Sequence, residues 1–166
     1  MVLEDNTIRR SGADAVLLDT ATSMQATNTV VDTAAEIGVR VRNGETVTLT
    51  ASHINDTGTT GIDTESTGML TVDDNTVLNC GATAISLIAL QGSIDLRAAN
   101  NTVATSEGHG IFVRGATSGT VQDNTVTDHA RRGMLLRESS DLSVLRNTVR
   151  DNGEGGIGIG TGDPLD

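Results

Sequence analysis

One tripeptide, Asn-Thr-Val or Asn-Thr-Ile, returns along nearly the whole chain at an almost fixed interval. It stands at Asn6, Asn28, Asn75, Asn101, Asn124 and Asn147, with steps of 22, 47, 26, 23 and 23 residues. The step of 47 is two periods, with Ser52-His53-Ile54 filling the middle slot. A period near 23 residues dictates a solenoid of about seven coils, because one unit cannot bury its apolar face alone and stacked units share a core. The 166 residues form one such array, 1–166, with no linker composition inside it.

Each repeat has the same internal order. A short polar turn follows the tripeptide, as in Asp32-Thr33-Ala34, Asp56-Thr57-Gly58, Asn79-Cys80-Gly81, Asp128-His129-Ala130 and Asp151-Asn152-Gly153. Asx side chains bond nearby backbone, and glycine tolerates positive φ, so these are turns. An alternating run comes next, as in Gly38-Val39-Arg40-Val41-Arg42 and Gly110-Ile111-Phe112-Val113-Arg114. A second, such as Val47 and Leu49 or Leu142 and Val144, precedes the next tripeptide. Period-two alternation marks strands with one buried face, and no helical period appears. The chain is therefore all-β, with three short strands per coil. The Leu-x-x-Leu-x-Leu spacing of a leucine-rich repeat is absent.

These residues resemble the right-handed parallel β-helix repeats of the pectin-lyase-like superfamily, above all those of NosD-like, carbohydrate-binding and sugar-hydrolase proteins. The likeness rests on the Asn-Thr-Val units followed nine or ten residues later by Gly-Ile or its equivalents. It implies stacked columns, in which Asn6, Asn28, Asn75, Asn101, Asn124 and Asn147 form an inward amide ladder. The intervening Thr7, Thr29, Thr76, Thr102, Thr125 and Thr148 then face outward. The superfamily hosts lyases, hydrolases, epimerases and inert modules alike, so it implies no single activity.

In enzymes of this superfamily the cleft lies outside the strand that starts at Gly-Ile. Alternation puts Arg40, Arg42, Asp63 and Glu65 on that face, and these are the catalytic candidates for a uronate lyase, epimerase or glycoside hydrolase. The competing expectation is a cross-strand charge ladder. Farther along, His109, Phe112, Arg114, Arg131, Arg132 and Arg137 form a basic patch suited to an anionic sugar. The turn carboxylates Asp32, Asp56, Asp128 and Asp151 raise Ca²⁺ as a possible ligand. No other cofactor is expected. His53, His109 and His129 occupy different coils and slots and make no metal cluster by spacing, so the copper association of NosD-like relatives transfers to no residue here.

The net charge is −11, all 11 basic residues are arginine, and Phe112 is the sole aromatic side chain of the Phe, Tyr and Trp class. The acidity argues against nucleic acid. With no Tyr to serve as acid or base and few aromatic platforms, the expected role is a non-catalytic structural or carbohydrate-binding module, outside the cytoplasm or on the cell surface. No apolar run approaches the ~20 residues of a membrane span, and no secretory signal opens the chain. The segment lacks obvious caps, which suggests a piece of a longer protein, monomeric or stacked end to end. Cys80 has no partner for an internal disulfide and suits a small packing role.

Acidic, lysine-free composition resembles that of proteins from halophilic archaea, where salt screens the repulsion among surface carboxylates. Thermal melts should shift upward between dilute buffer and multimolar NaCl. Equal melting temperatures would contradict this expectation.

Overall fold

The structure is a computed structural model that describes residues 1–20, 22–90 and 95–161. The described residues contain nineteen strands and no helix, so none crosses a membrane as a helix. All strand pairs are parallel, and partners lie 22, 23 or 26 residues apart. The chain therefore climbs through seven coils, each with three faces.

The first face stacks β1 (Val2–Glu4), β4 (Ser23–Thr27), the later part of β6 (Val39–Thr50) and of β8 (Ile62–Asp73), then β11 (Asp95–Ala99), β14 (Ser118–Gln122) and β17 (Leu142–Leu145). The second stacks β2 (Thr7–Ser11), β5 (Val30–Ala34), β7 (His53–Thr57), β9 (Thr76–Cys80), β12 (Thr102–Ser106), β15 (Thr125–His129) and β18 (Thr148–Arg150). The third stacks β3 (Val16–Asp19), the early parts of β6 and β8, then β10 (Ile85–Ala89), β13 (Ile111–Arg114), β16 (Arg132–Arg137) and β19 (Gly155–Gly160). Two strands, β6 and β8, run unbroken round a corner. Paired bulges allow this turn, because Val41 faces Thr64, Gly44 faces Ser66 and Thr46 faces Met69.

Inward positions form vertical columns. Val31, Ile54, Val77, Val103 and Val126 lie over one another on the second face, each fully buried. Val39, Ile62, Ile85, Ile111 and Met134 do the same on the third. Burying such a side chain contributes about 1.5–3 kcal/mol, and the shared column is what one isolated coil lacks. The glycine that opens the third-face strands is required by crowding. A Cβ at Gly61 would stand 2.4 Å from Val77 Cγ1 and 2.7 Å from the Ala84 carbonyl oxygen.

The corner between the first two faces holds the polar ladder. Asn101 Oδ1 accepts the Asn75 backbone N–H at 3.0 Å and the Asn75 amide at 3.1 Å. Asn124 does the same for Asn101, and Asn147 for Asn124, at 2.9–3.0 Å. Each amide's second hydrogen goes back one coil, to the carbonyls of Leu49, Val72, Ala98 and Val121. Donors and acceptors of the buried amides are thus matched, as burial demands.

Register corrects two of the expected columns. Strand pairing aligns Asn6 with Thr29, Ser52 and Asn75, at a constant step of 23. Thr29 and Ser52 fill the inward slot, where Ser52 Oγ accepts the Thr29 N–H and Asn75 Oδ1 accepts the Ser52 N–H. Asn28 therefore lies one residue outside the ladder, and its side chain donates to Asp5 Oδ1 at 2.6 Å on the surface. Thr29 is likewise buried, not exposed. The cause is the preceding corner residue, which takes a left-handed backbone in every coil: Asp5, Asn28, Ala51, Asp74, Asn100, Asp123 and Arg146 have φ of 50–58°. That conformation costs most side chains about 1–2 kcal/mol, and Asn and Asp bear it best through local hydrogen bonds. Asn28 answers this demand; Thr29 answers the inward one. By the same offset Asp32 aligns with Arg9 and Asn55, away from the left-handed column of Asp56, Asn79, Thr105, Asp128 and Asp151.

Replacing Asn101 by Leu strands three buried groups, at about 1–3 kcal/mol each. Chemical denaturation should show a loss of about 3–9 kcal/mol for Asn101→Leu and about 1 kcal/mol or less for exposed Asn28→Ala. Equal losses would refute the ladder as drawn.

Candidate functional site

The outer side of the third face carries the residues singled out from the sequence. In register, Leu17, Arg40, Asp63, Ser86, Phe112, Leu135 and Gly158 form one column. Ile88, Arg114, Arg137 and Gly160 continue the neighbouring column upward from Glu65. Asp19 faces Arg42, but the β6 bulge ends the simple pairing before Arg42 can face Glu65. Arg40 lies between two acids, 2.9 Å from Asp14 and 3.9 Å from Asp63. Asp14 also accepts the Ile37 N–H. Asp14 is held this way as a counter-ion, and Asp63 lies on the other side of the same guanidinium.

Higher on the same face the arginines gather. Arg114 pairs with Glu138 at 2.7 Å and Arg131 with Glu154 at 3.1 Å. Glu138 reaches Arg114 from the bend after β16. Arg132 carries no ion pair among the described residues. His109 is only 8% exposed, stacks on Phe112 with ring centroids 6.3 Å apart, and accepts the Arg132 backbone N–H at Nδ1. Burial, then the charge of Arg131, holds its pKa below the ordinary histidine value. These groups border a hollow of about 190 Å³ with Arg137, Leu135 and the bare backbone at Gly158 and Gly160.

The corner after the second face presents a different set. Ser11, Ala34, Thr57, Cys80, Ser106 and His129 share one inward column. Cys80 is 2% exposed; its thiol points to the Leu78 carbonyl at 3.6 Å, and burial pushes its pKa up. His129 Nδ1 lies 2.7 Å from Ser106 Oγ, and Nε2 lies 3.3 Å from the Val103 carbonyl. Ser106 has one hydroxyl proton and stands between two groups, the His109 carbonyl at 3.1 Å and His129 Nδ1, while Nε2 faces the Val103 carbonyl. Asn152 repeats the inward contact one coil on, donating to the Val126 carbonyl. The sequence gave no sign of this pairing, because Ser106 and His129 are 23 residues apart and register alone joins them.

Stacked coils, matched inward columns and an uninterrupted parallel ladder define a parallel β-helix protein. The model of one family, described as "Periplasmic copper-binding protein (NosD)", matches residues 4–163. The chain belongs to the NosD family. No curated protein and no solved structure gives a significant match.

The family description raises copper, whose protein ligands are imidazole, thiolate and thioether groups. Among the described residues the imidazole and thiolate donors do not suit it. Both His129 nitrogens and His109 Nδ1 are occupied by hydrogen bonds. Cys80 stands two strand spacings from His129, about 10 Å. His53 faces outward between Val30 and Thr76. Among the described residues no three His, Cys, Asp or Glu side chains converge on a metal position.

Burial also holds the pKa of His129 below the ordinary histidine value. For His109 and His129 the folded state thus favours the neutral ring. Their contribution is complete above the ordinary value near about 6.5 and is lost as pH falls toward the depressed folded values. Melting temperature should be level from pH 8 to about 6.5 and decline below that. His129→Asn, which installs the side chain that Asn152 already uses, should flatten part of the decline; an unchanged pH profile would refute the assignment.

Proposed function

We propose that this chain is a non-catalytic β-helix module, working outside the cytoplasm as the family description suggests, that binds an acidic carbohydrate on the outer side of its third face. The observation that carries this reading is the concentration of Arg114, Arg131, Arg132 and Arg137 on two adjacent coils of a molecule with net charge −11. At physiological salt, charges act over about 8 Å. A local positive field can therefore receive an anion that the rest of the surface repels.

Three features favour binding over turnover. Asp63 is engaged by Arg40, Glu154 by Arg131, and the buried histidines have nitrogens committed to hydrogen bonds. A carboxylate turned onto an arginine is less available to take a proton from a substrate, since it must leave that partner to reach one. The alternative is a fragment of a polysaccharide-active enzyme, with Asp63 and Glu65 as its acids.

A panel of uronate oligomers separates the two. The module predicts binding without turnover, and Arg114→Ala with Arg137→Ala together should weaken it at least about tenfold, or 1.4 kcal/mol. Unchanged affinity would overturn the patch. The appearance of unsaturated or shortened products would favour the enzyme.

A further inference from the structure

We propose that His109, Arg132 and the bare backbone at Gly158 and Gly160 form a subsite for a single carboxylated sugar ring, in which His109 acts as a neutral N–H donor. The inference rests on the reading of the third face as a binding face and names the position and chemistry of recognition on it.

Size comes first. The hollow measures about 190 Å³, below the ~300 Å³ at which ordinary small-molecule clefts begin. It admits one ring-sized unit, while the rest of any oligomer would lie along the open strand face. Its floor is made by alternation: Gly158 and Gly160 stand in the outward columns above Leu135 and Arg137. A Cβ on Gly160 would meet nothing within 4 Å, so the backbone there is open to a ligand. A Cβ on Gly158 would stand 3.0 Å from Arg132 Cδ and 3.2 Å from Leu135 Cδ1. The Arg132 side chain thus lies across the glycine lane, and glycine is what lets it do so.

Charge comes next. Among the described residues the wall holds Arg131, Arg132, Arg137 and Glu154. Glu154 is taken up by Arg131. Arg132 remains without an ion pair among the described residues, and its planar guanidinium matches a carboxylate through two parallel hydrogen bonds. Leu135 and the Phe112-stacked imidazole supply the apolar side on which a sugar ring can rest.

The tautomer completes the site. The Arg132 backbone N–H occupies His109 Nδ1 as an acceptor, so the ring proton sits on Nε2. Burial and the neighbouring arginines oppose a second proton. His109 therefore offers one N–H donor and no charge, and the same residue that holds its tautomer by its backbone supplies the cation by its side chain.

The test is calorimetric titration of the 166-residue chain with trigalacturonate and with its methyl ester at pH 7.5. His109→Asn keeps an acceptor for the Arg132 N–H and removes the Nε2 donor; His109→Gln keeps a donor in reach. Expected results are a fivefold or greater loss of affinity for His109→Asn, partial retention for His109→Gln, and a tenfold or greater loss for Arg132→Ala and for the ester. Imidazole ¹⁵N shifts should report the Nε2–H tautomer before and after ligand, a readout that does not depend on any variant folding. If His109→Asn binds normally, or the ring becomes doubly protonated with ligand, the subsite is wrong even where Arg114→Ala with Arg137→Ala weakens binding. Normal binding by Arg132→Ala, or equal affinity for inorganic sulfate, overturns it too. If neither oligomer binds the wild-type chain, the underlying reading falls with it.

Discussion

Vertical hydrogen bonding between successive coils is the interaction on which the rest of this structure depends. Parallel pairing fixes each residue above its counterpart one coil earlier. Once that register is set, a buried polar group has a partner of its own kind directly above and below. Asn75, Asn101, Asn124 and Asn147 use this to satisfy both backbone and side-chain donors inside the fold. An isolated buried amide would be costly; stacked, each one completes the next. Corner geometry follows from the same repetition. The chain must turn at the same place in each coil, and a left-handed residue followed by an inward polar one does this seven times.

Register also decides what faces outward together. Arg40 and Asp63 become a pair because β6 and β8 align them. Leu135 is largely buried, although it sits on the outer side of its strand, with Phe112 in register below it and the Arg132 arm beside Gly158. The hollow exists because side chains of β16 rise beside a strand, β19, whose outward positions are glycine. Such a site belongs to no single repeat. It arises from the difference between neighbours in an otherwise uniform stack.

Membership of the NosD family and the absence of a copper-suited donor set among the described residues are compatible. A solenoid's columns are set by packing physics, whereas a metal site needs several donors at one height on one face. The histidines of this chain were drawn into other work. His129 closes a hydrogen-bonded corner with Ser106, and His109 supports the backbone of Arg132. His129 commits both ring nitrogens in this way, and His109 commits Nδ1.

Much of the fold was legible in the amino-acid order alone. The period, the three strands per coil, the inward aliphatic positions and the asparagine ladder from Asn75 to Asn147 follow from spacing and alternation, because side-chain direction has period two and stacking repeats the coil. Asn28 and Asp32 were misassigned by one residue, since an asparagine suits both an inward ladder and a left-handed corner, and only pairing with Ile8 and Ile54 through Val31 separates the two. The outward columns could likewise be written down, apart from the bulge that parts Arg42 from Glu65. What tertiary structure alone decided was which neighbours actually touch. The Ser106–His129 bond, the Arg114–Glu138 pair and the Arg132 arm over Gly158 each join residues from different coils. A sequence states which positions recur; side-chain reach across the space between two coils is a property of the assembled stack.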